Sequence, residues 1–194
     1  MTDAEESLLE AGSGRRADAR RNQANVLEAA AAAFVESGVD APVRLVAARA
    51  GVGVGTIYRH FPTRADLVVA VYCHQIEACA AAGPRLLAEK HSPYAALREW
   101  VDLFVEFLVT KHGLAAALRD DAAGFATLHG LFVERLLPVV TELLDAAVSA
   151  GEVTADISPY ELMRGIGNLC AGSEADDDYD ADRLVALLLA GCRA

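Results

Sequence analysis

The run VGTIYRH, which begins at Val54, carries the side chains best suited to chemistry. It brings a hydroxyl, a phenol, a guanidinium and an imidazole together, on Thr56, Tyr58, Arg59 and His60. Hydroxyl, phenol and imidazole groups donate hydrogen bonds to phosphate oxygens, and a guanidinium pairs with the edge of a guanine. The run therefore predicts a surface that contacts nucleic acid.

Two short predicted helices position this run. The first spans about Pro42 to Ala50, the second spans Val54 to Phe61, and Gly51-Val52-Gly53 forms the turn between them. Two helices joined this tightly form a helix-turn-helix, whose second helix fits the major groove of DNA. Ile57 and Phe61 lie one turn apart and anchor the second helix. Its remaining face presents Val54, Gly55, Thr56, Tyr58, Arg59 and His60.

Other interpretations of this pattern stay open at this point. A tight helical hairpin in an all-α enzyme has the same spacing, and Tyr58 could equally pack inward beside Ile57. A helical adaptor without DNA binding is a third class, although the run Tyr58-Arg59-His60 argues against it. An enzyme needs clustered catalytic groups, but no nucleophile elbow, P-loop or dinucleotide fingerprint is present. The five histidines are scattered over separate predicted helices, at positions 60, 74, 91, 112 and 129.

The charge distribution is asymmetric along the chain. The net charge of the 194 residues is −11. Residues 1–10 hold four acids, residues 11–64 carry a net charge of about +4, and residues 65–194 carry about −11. A basic head on an acidic body is expected when one end of a protein meets phosphate, although random scatter of surface charge is an alternative.

The composition predicts an all-α fold. Alanine, the best helix former, occurs 39 times, and strand formers do not alternate with polar residues. We expect nine helices, with helix 1 at 18–37, helix 4 ending before Gly83-Pro84, and a short helix at 114–119. The last two predicted helices are 159–171 and 180–193. The longest apolar run is about 9 residues, so we expect no membrane span.

The segment VLEAAAAAFVESGVDAPVRLVAARAGVGVGTIYRHFPTRADL, from Val26 to Leu67, resembles the DNA-binding domain of the TetR family. The resemblance implies a homodimeric repressor on a palindromic double-stranded operator, released by a small-molecule effector. The charged start with its flexible Gly12-Ser13-Gly14 predicts a disordered leader at 1–17. We expect a helix-turn-helix domain at 18–64 and a helical ligand-binding and dimerisation domain at 65–194. The acidic start differs from a secretory signal, so we expect a cytoplasmic protein. The resemblance implies a nucleoid-associated bacterial regulator with no enzymatic activity and no cofactor. The C-terminal part is similar to actinobacterial members, and 15 arginines against 2 lysines fit a GC-rich genome.

The family pattern implies roles for individual residues. Tyr58 and His60 become contacts on the second helix, and Arg64 takes the place of the usual lysine, where it would hold a phosphate. Gly53 stands where the family usually has a serine or threonine that caps the second helix of the helix-turn-helix. Pro42 stands near the start of helix 2, where the family usually has a further serine or threonine. Arg44 or the backbone must then supply the phosphate contact at helix 2. The N-terminal arginines 15, 16, 20 and 21 are a further candidate contact.

The acidic body contains two further candidate sites. Its aromatic residues predict either ordinary core or the apolar ligand pocket that the resemblance implies. The pocket candidates are Trp100, Phe104, Phe107, Phe125, His129 and Phe132. The last two helices are apolar over too wide an arc for one neighbour, which predicts a dimer interface or, alternatively, monomer core. The interface candidates are Met163, Ile166, Cys170, Leu184 and Leu188.

We expect no metal site. Cys73 and Glu77 lie one turn apart and His74 is adjacent to Cys73, but Cys79 lies on another face, so a further ligand is lacking. The acidic run at 176–178 lacks the spacing of a calcium loop.

Overall fold

The computed structural model describes residues 21–117, 122–154, 156–171 and 178–194. Within these residues the chain forms eight helices and one isolated antiparallel bridge between Val153 and Arg193. The all-α prediction is confirmed. The helices are α1 (21–37), α2 (Val43–Ala50), α3 (Val54–His60), α4 (Arg64–Glu89), α5 (Pro93–Ala117), α6 (Ala122–Ser149), α7 (Pro159–Cys170) and α8 (Ala181–Gly191).

The chain divides into two compact units between His74 and Gln75, inside α4. The N-terminal unit contains α1 to α3 and the first part of α4, and the C-terminal unit contains the rest. The predicted functional boundary at 64/65 falls ten residues earlier and stays a prediction. The predicted leader at 1–17 and the acidic residues 176 and 177 lie outside the described residues.

The N-terminal unit packs α1, α2 and α3 around a small apolar core. Ala30 and Phe34 of α1, Val46 of α2 and Ile57 of α3 are buried there. The turn between α2 and α3 begins at Gly51, whose φ of 66° is the left-handed conformation that glycine adopts without strain. The predicted helix-turn-helix is therefore present in the described structure.

A reciprocal capping box begins α4. The backbone N–H of Asp66 donates to Thr63 Oγ1 at 3.1 Å, and the backbone N–H of Thr63 donates to Asp66 Oδ2 at 2.9 Å. These bonds to the carboxylate hold the pKa of Asp66 below its usual value. The cap fixes the first turn of α4 immediately after the exposed end of α3.

The predicted end of helix 4 at Gly83-Pro84 is wrong, because α4 continues to Glu89 with Pro84 inside it. Gly83 is buried, and a Cβ atom added there would overlap Cγ1 of Val139 and lie 3.7 Å from its Cβ. The glycine therefore serves a close contact between α4 and α6, and its φ is not left-handed. Pro84 has no backbone N–H, so α4 continues here with one backbone hydrogen bond fewer.

The predicted short helix at 114–119 is also wrong, which reduces nine helices to eight among the described residues. Residues 114–117 continue α5 without a break. Gly113 costs a helix about 1 kcal/mol, but Leu114 and the three alanines that follow are strong helix formers.

By length and composition alone, α4 is one described helix that could cross a membrane. Its apolar residues Leu67, Val68, Val71 and Ile76 are buried in the protein. Such burial is what a core helix requires, so we assign the apolar character of α4 to packing.

Candidate functional site

The two faces of α3 differ as the helix-turn-helix interpretation requires. Ile57 is 1% exposed and Phe61, which follows the helix, is also buried. Tyr58 is 50% exposed and Val54 is exposed as well. The side chain of Tyr58 therefore points away from the core, and the alternative in which it packs beside Ile57 does not occur.

The other predicted contact residues lie on the same outward face. Gly55, Arg59 and His60 are exposed, and Thr56 is half-buried. A side chain at Gly55 would meet open space, so the backbone at the start of α3 is accessible to a large partner. Gly53 caps the helix without a side-chain hydrogen bond, which leaves the first N–H groups of α3 unpaired by a cap.

The arginines near α3 differ in whether they form an ion pair with a carboxylate. Arg49 pairs with Glu36, and this ion pair raises the pKa of Arg49 and lowers that of Glu36. Arg44 and Arg59 are exposed, and no carboxylate of the described chain forms an ion pair with either. Among the described arginines of α2 and α3, Arg44 and Arg59 therefore carry a positive charge that no described carboxylate pairs with, whereas Arg49 does not.

The guanidinium of Arg64 is engaged inside the N-terminal unit. Its Nη2 donates to the carbonyl oxygens of Val39 and of Ala41, the latter at 2.7 Å. Its Nε lies 3.7 Å from Oδ1 of Asp40 and has no hydrogen-bond partner in the described structure. Three oxygens of the loop between α1 and α2 thus occupy the side chain for which the family pattern implies a phosphate contact.

The predicted pocket residues form a chain of ring contacts in the C-terminal unit. Trp100 stacks on Phe104 with centroids 5.3 Å apart, and Phe104 lies 5.9 Å from Phe132. Phe132 also contacts Phe107 and His129, each with centroids 5.7 Å apart. Five of the six predicted residues are therefore joined in one aromatic cluster.

A cavity of about 370 Å³ lies beside this cluster, among α5, α6 and α7. This volume is within the range of small-molecule sites. Phe104, Phe125, His129 and Phe132 line the cavity. Trp100 and Phe107 do not line it but are buried behind it, and Trp100 Nε1 donates to the carbonyl oxygen of Cys79 in α4 at 2.9 Å.

One side of the cavity carries polar residues of α7 that the sequence analysis did not single out. Tyr160, Arg164 and Asn168 line the cavity, and an Arg164 Nη1 hydrogen bond to Tyr160 Oη measures 3.3 Å. The three residues follow one another at four-residue spacing along α7. That spacing places them on one helix face, which is the signal by which the sequence could have revealed them.

The predicted dimer residues fall into two groups. Met163, Ile166 and Cys170 are buried inside the protomer, and Met163 lines the cavity. Because α7 turns these three side chains towards its own core, little of their surface is left for a partner, and their role in a dimer interface stays a prediction. Leu184 and Leu188 of α8 are half-buried. Leu187, between them, is 58% exposed.

The cysteines are separated and largely buried. Burial raises the pKa of the Cys79 thiol to about 12, so it stays protonated at neutral pH. Cys170 and Cys192 are buried, and Cys73 is half-buried. In the part of the chain that the structure describes, no three His, Cys, Asp or Glu residues converge as metal ligands.

The chain matches two models of protein families. Residues 26–71 match the model "Bacterial regulatory proteins, tetR family", and residues 92–194 match "Transcriptional regulator SbtR-like, C-terminal domain". The second model alone covers more than half of the chain.

Solved structures and a curated relative are similar to the chain. A TetR transcriptional regulator from Streptomyces coelicolor is 36% identical, with a TM-score of 0.73, over 87% of this chain and 97% of that one. A TetR regulatory protein from Mycobacterium vanbaalenii is 34% identical, with a TM-score of 0.67, over 92% and 99%. An HTH-type transcriptional regulator of Staphylococcus aureus (strain USA300) is 28% identical over 100 residues, 51% of this chain. The match covers 54% of that relative, so the chain spans about half the length of the curated relatives that it matches.

Proposed function

Because the chain belongs to the TetR family of transcriptional regulators, we propose that it is a DNA-binding repressor that a small molecule releases from its operator. The observation that carries this proposal is the outward face of α3. A buried anchor at Ile57 and an exposed Tyr58 on one short helix are what a major-groove reader needs. Arg59 then contacts base edges, and Arg44 contacts a phosphate from the first turn of α2.

The exposed apolar face of α8 supports a homodimer. Val185 and Leu189 are buried in the protomer, whereas Leu187 is 58% exposed and Leu184 and Leu188 are half-buried. An apolar helix face of this kind is stable in water when a second surface covers it. A second copy of the chain offers the same face under two-fold symmetry, and two α3 helices match a palindromic operator.

The cavity is the proposed effector site. Phe104 lines it, Trp100 stacks on Phe104, and Trp100 donates to the carbonyl oxygen of Cys79. This series of contacts joins the cavity wall to α4, a single helix that begins at Arg64. An effector that shifts Phe104 thereby biases the position of α4. A coupling free energy of about 1–3 kcal/mol corresponds to a 5- to 150-fold loss of DNA affinity.

DNA binding is tested with labelled duplexes that tile the region upstream of the protein's own gene. Fluorescence anisotropy at rising salt measures affinity for each duplex. We expect one duplex to bind far more tightly than the others, with an affinity that falls steeply with salt.

A matched pair of variants assigns that binding to α3. Arg59→Gln removes an exposed arginine of α3, and Arg85→Gln removes an exposed arginine of α4 that pairs with Glu89. The proposal predicts that Arg59→Gln binds the preferred duplex more weakly, by about 1–3 kcal/mol, and that Arg85→Gln binds it as the wild-type protein does. Absence of binding to every duplex at low salt would refute the proposed function.

A further inference from the structure

We propose that the cavity of the C-terminal unit takes an aromatic monocarboxylate, with its ring against the phenylalanine wall and its carboxylate on Arg164. This inference rests on the proposed function in that it names the class of the effector. Binding to the cavity is nevertheless measurable without DNA, so the two proposals fail separately.

The apolar wall of the cavity is aromatic. Phe104 and Phe132 both line it, are buried, and hold their rings nearly parallel, with an interplanar angle of 22°. His129 continues the stack on Phe132 at an interplanar angle of 19°. Aromatic rings pair with one another in offset-stacked or edge-to-face geometry, with a gain beyond that of simple area burial. A ligand with an aromatic ring therefore fits this wall better than an aliphatic chain of equal size.

The polar side of the cavity carries an available positive charge. Arg164 lines the cavity and donates to the phenol of Tyr160, a neutral group. None of the described carboxylates forms an ion pair with Arg164, and Glu161 on the same helix is held by Ser158 in the capping box of α7. A guanidinium has five N–H donors in a planar fork that matches a carboxylate. The side-chain amide of Asn168, one turn further along α7, lines the same side of the cavity.

The surrounding charge favours one negative charge on the ligand rather than several. Among the described residues that line the cavity, Arg164 is the one Lys or Arg. The C-terminal unit, residues 75–194, contains 9 basic and 19 acidic residues, a net charge of −10, so it repels a multiply charged anion. A monocarboxylate satisfies Arg164 without adding uncompensated charge.

Isothermal titration of the protein without DNA tests this inference with two pairs of probes. Each pair matches an acid with its neutral amide: 4-phenylbutyrate with 4-phenylbutyramide, and 1-naphthoate with 1-naphthamide. We expect at least one acid to bind at least tenfold more tightly than its amide, as one charge-assisted hydrogen bond provides.

Arg164→Gln should weaken the binding of the acid at least tenfold and leave the binding of the amide unchanged. Arg183→Gln is the matched control, since Arg183 is an exposed arginine of α8 that does not line the cavity. Circular dichroism checks that both variants are folded. Equal binding of acid and amide, or an equal loss of both in Arg164→Gln, would overturn the assignment of the carboxylate.

A second variant tests the cavity by volume rather than by charge. Gly167 of α7 lines the cavity, and a Cβ atom there meets open space, so Gly167→Leu projects into the cavity without a clash at Cβ. We expect it to weaken acid and amide alike. Gly130→Leu is its control, because Gly130 of α6 also faces open space but does not line the cavity.

Three outcomes separate this inference from the proposed function. Normal binding to Gly167→Leu, or no binding of any probe to the wild-type protein at millimolar concentration, contradicts the inference. If an acid binds through Arg164 but does not release the protein from DNA, the result supports the proposed class of ligand and contradicts release by that ligand. Release of DNA by other compounds in Arg164→Gln supports the proposed function and contradicts the ligand class.

Discussion

Arg64 at the start of α4 donates a 2.7 Å hydrogen bond from Nη2 to the carbonyl oxygen of Ala41, just before α2. The same Nη2 donates to the carbonyl oxygen of Val39, and Asp40 lies 3.7 Å from Nε. One side chain thus joins the first turn of α4 to the loop that precedes α2. We interpret Arg64 as a positioning residue for the helix-turn-helix.

This interpretation makes a prediction that separates Arg64 from a phosphate ligand. Arg64→Gln should lower the free energy of unfolding of the N-terminal unit by about 1–3 kcal/mol, since it removes hydrogen bonds from a charged donor. DNA affinity should fall with it, while the slope of log affinity against log salt stays unchanged. Thermal unfolding and salt-dependent anisotropy measure the two effects. A slope reduced by about one unit, with unchanged stability, would instead identify Arg64 as a phosphate contact.

Arg44 and Arg59 should differ in what they contribute to DNA binding. Arg44→Gln should weaken all duplexes alike and reduce the salt slope by about one unit, because a phosphate contact carries no sequence information. Arg59→Gln should cost about 1–3 kcal/mol on the preferred duplex and relax the preference for one base pair. Competition with single-base variants of the duplex measures the preference. Identical profiles for the two variants would show that α3 does not read bases.

Dimerisation should depend on the exposed face of α8. Leu187→Glu places a charge where a partner would bury an apolar side chain, so we expect monomers in analytical ultracentrifugation. Val148→Glu is the control, because Val148 of α6 is also exposed, at 48%, and lies outside α8. A Leu187→Glu protein that remains a dimer would place the interface elsewhere.

The contact between Gly83 and Val139 should limit what α4 tolerates. Gly83→Ala introduces a Cβ atom that overlaps Val139 Cγ1, and overpacking of this kind costs about 1–3 kcal/mol. Gly130→Ala, at a glycine facing open space, should be neutral or slightly stabilising in the same denaturation experiment. Addition of Val139→Ala to Gly83→Ala should recover part of the loss. Additive losses in the double variant would mean that the two residues do not touch.

The local patterns of the sequence predicted much of this structure. The turn at Gly51 depends on residues within a few positions of one another, so short-range chemistry determines it. Helical spacing predicted the anchor at Ile57 but left the direction of Tyr58 open, and the 50% exposure of Tyr58 decides between the two alternatives.

The errors arose where a distant residue decides the outcome. Gly83-Pro84 looks like a helix end, but α4 continues through it, and Gly83 packs closely against Val139, 56 positions away. The phosphate contact of Arg64 stays a prediction, but loop carbonyls more than 20 positions earlier accept hydrogen bonds from its guanidinium, which the sequence did not reveal. The interface role of Met163 also stays a prediction, although α7 turns this side chain into its own protomer. Neither periodicity nor a family pattern contains such long-range contacts.

The most direct test of the account is methylation interference on the preferred duplex, which probes guanine N7 in the major groove. The account predicts two groups of interfering guanines related by two-fold symmetry. Their centres should lie about 34–36 Å apart, or a multiple of that distance, because each protomer inserts one α3 into one major groove. Arg59→Gln should remove interference at one guanine in each half-site. Binding that is unaffected by N7 methylation would contradict the assignment of α3 as the DNA-reading helix.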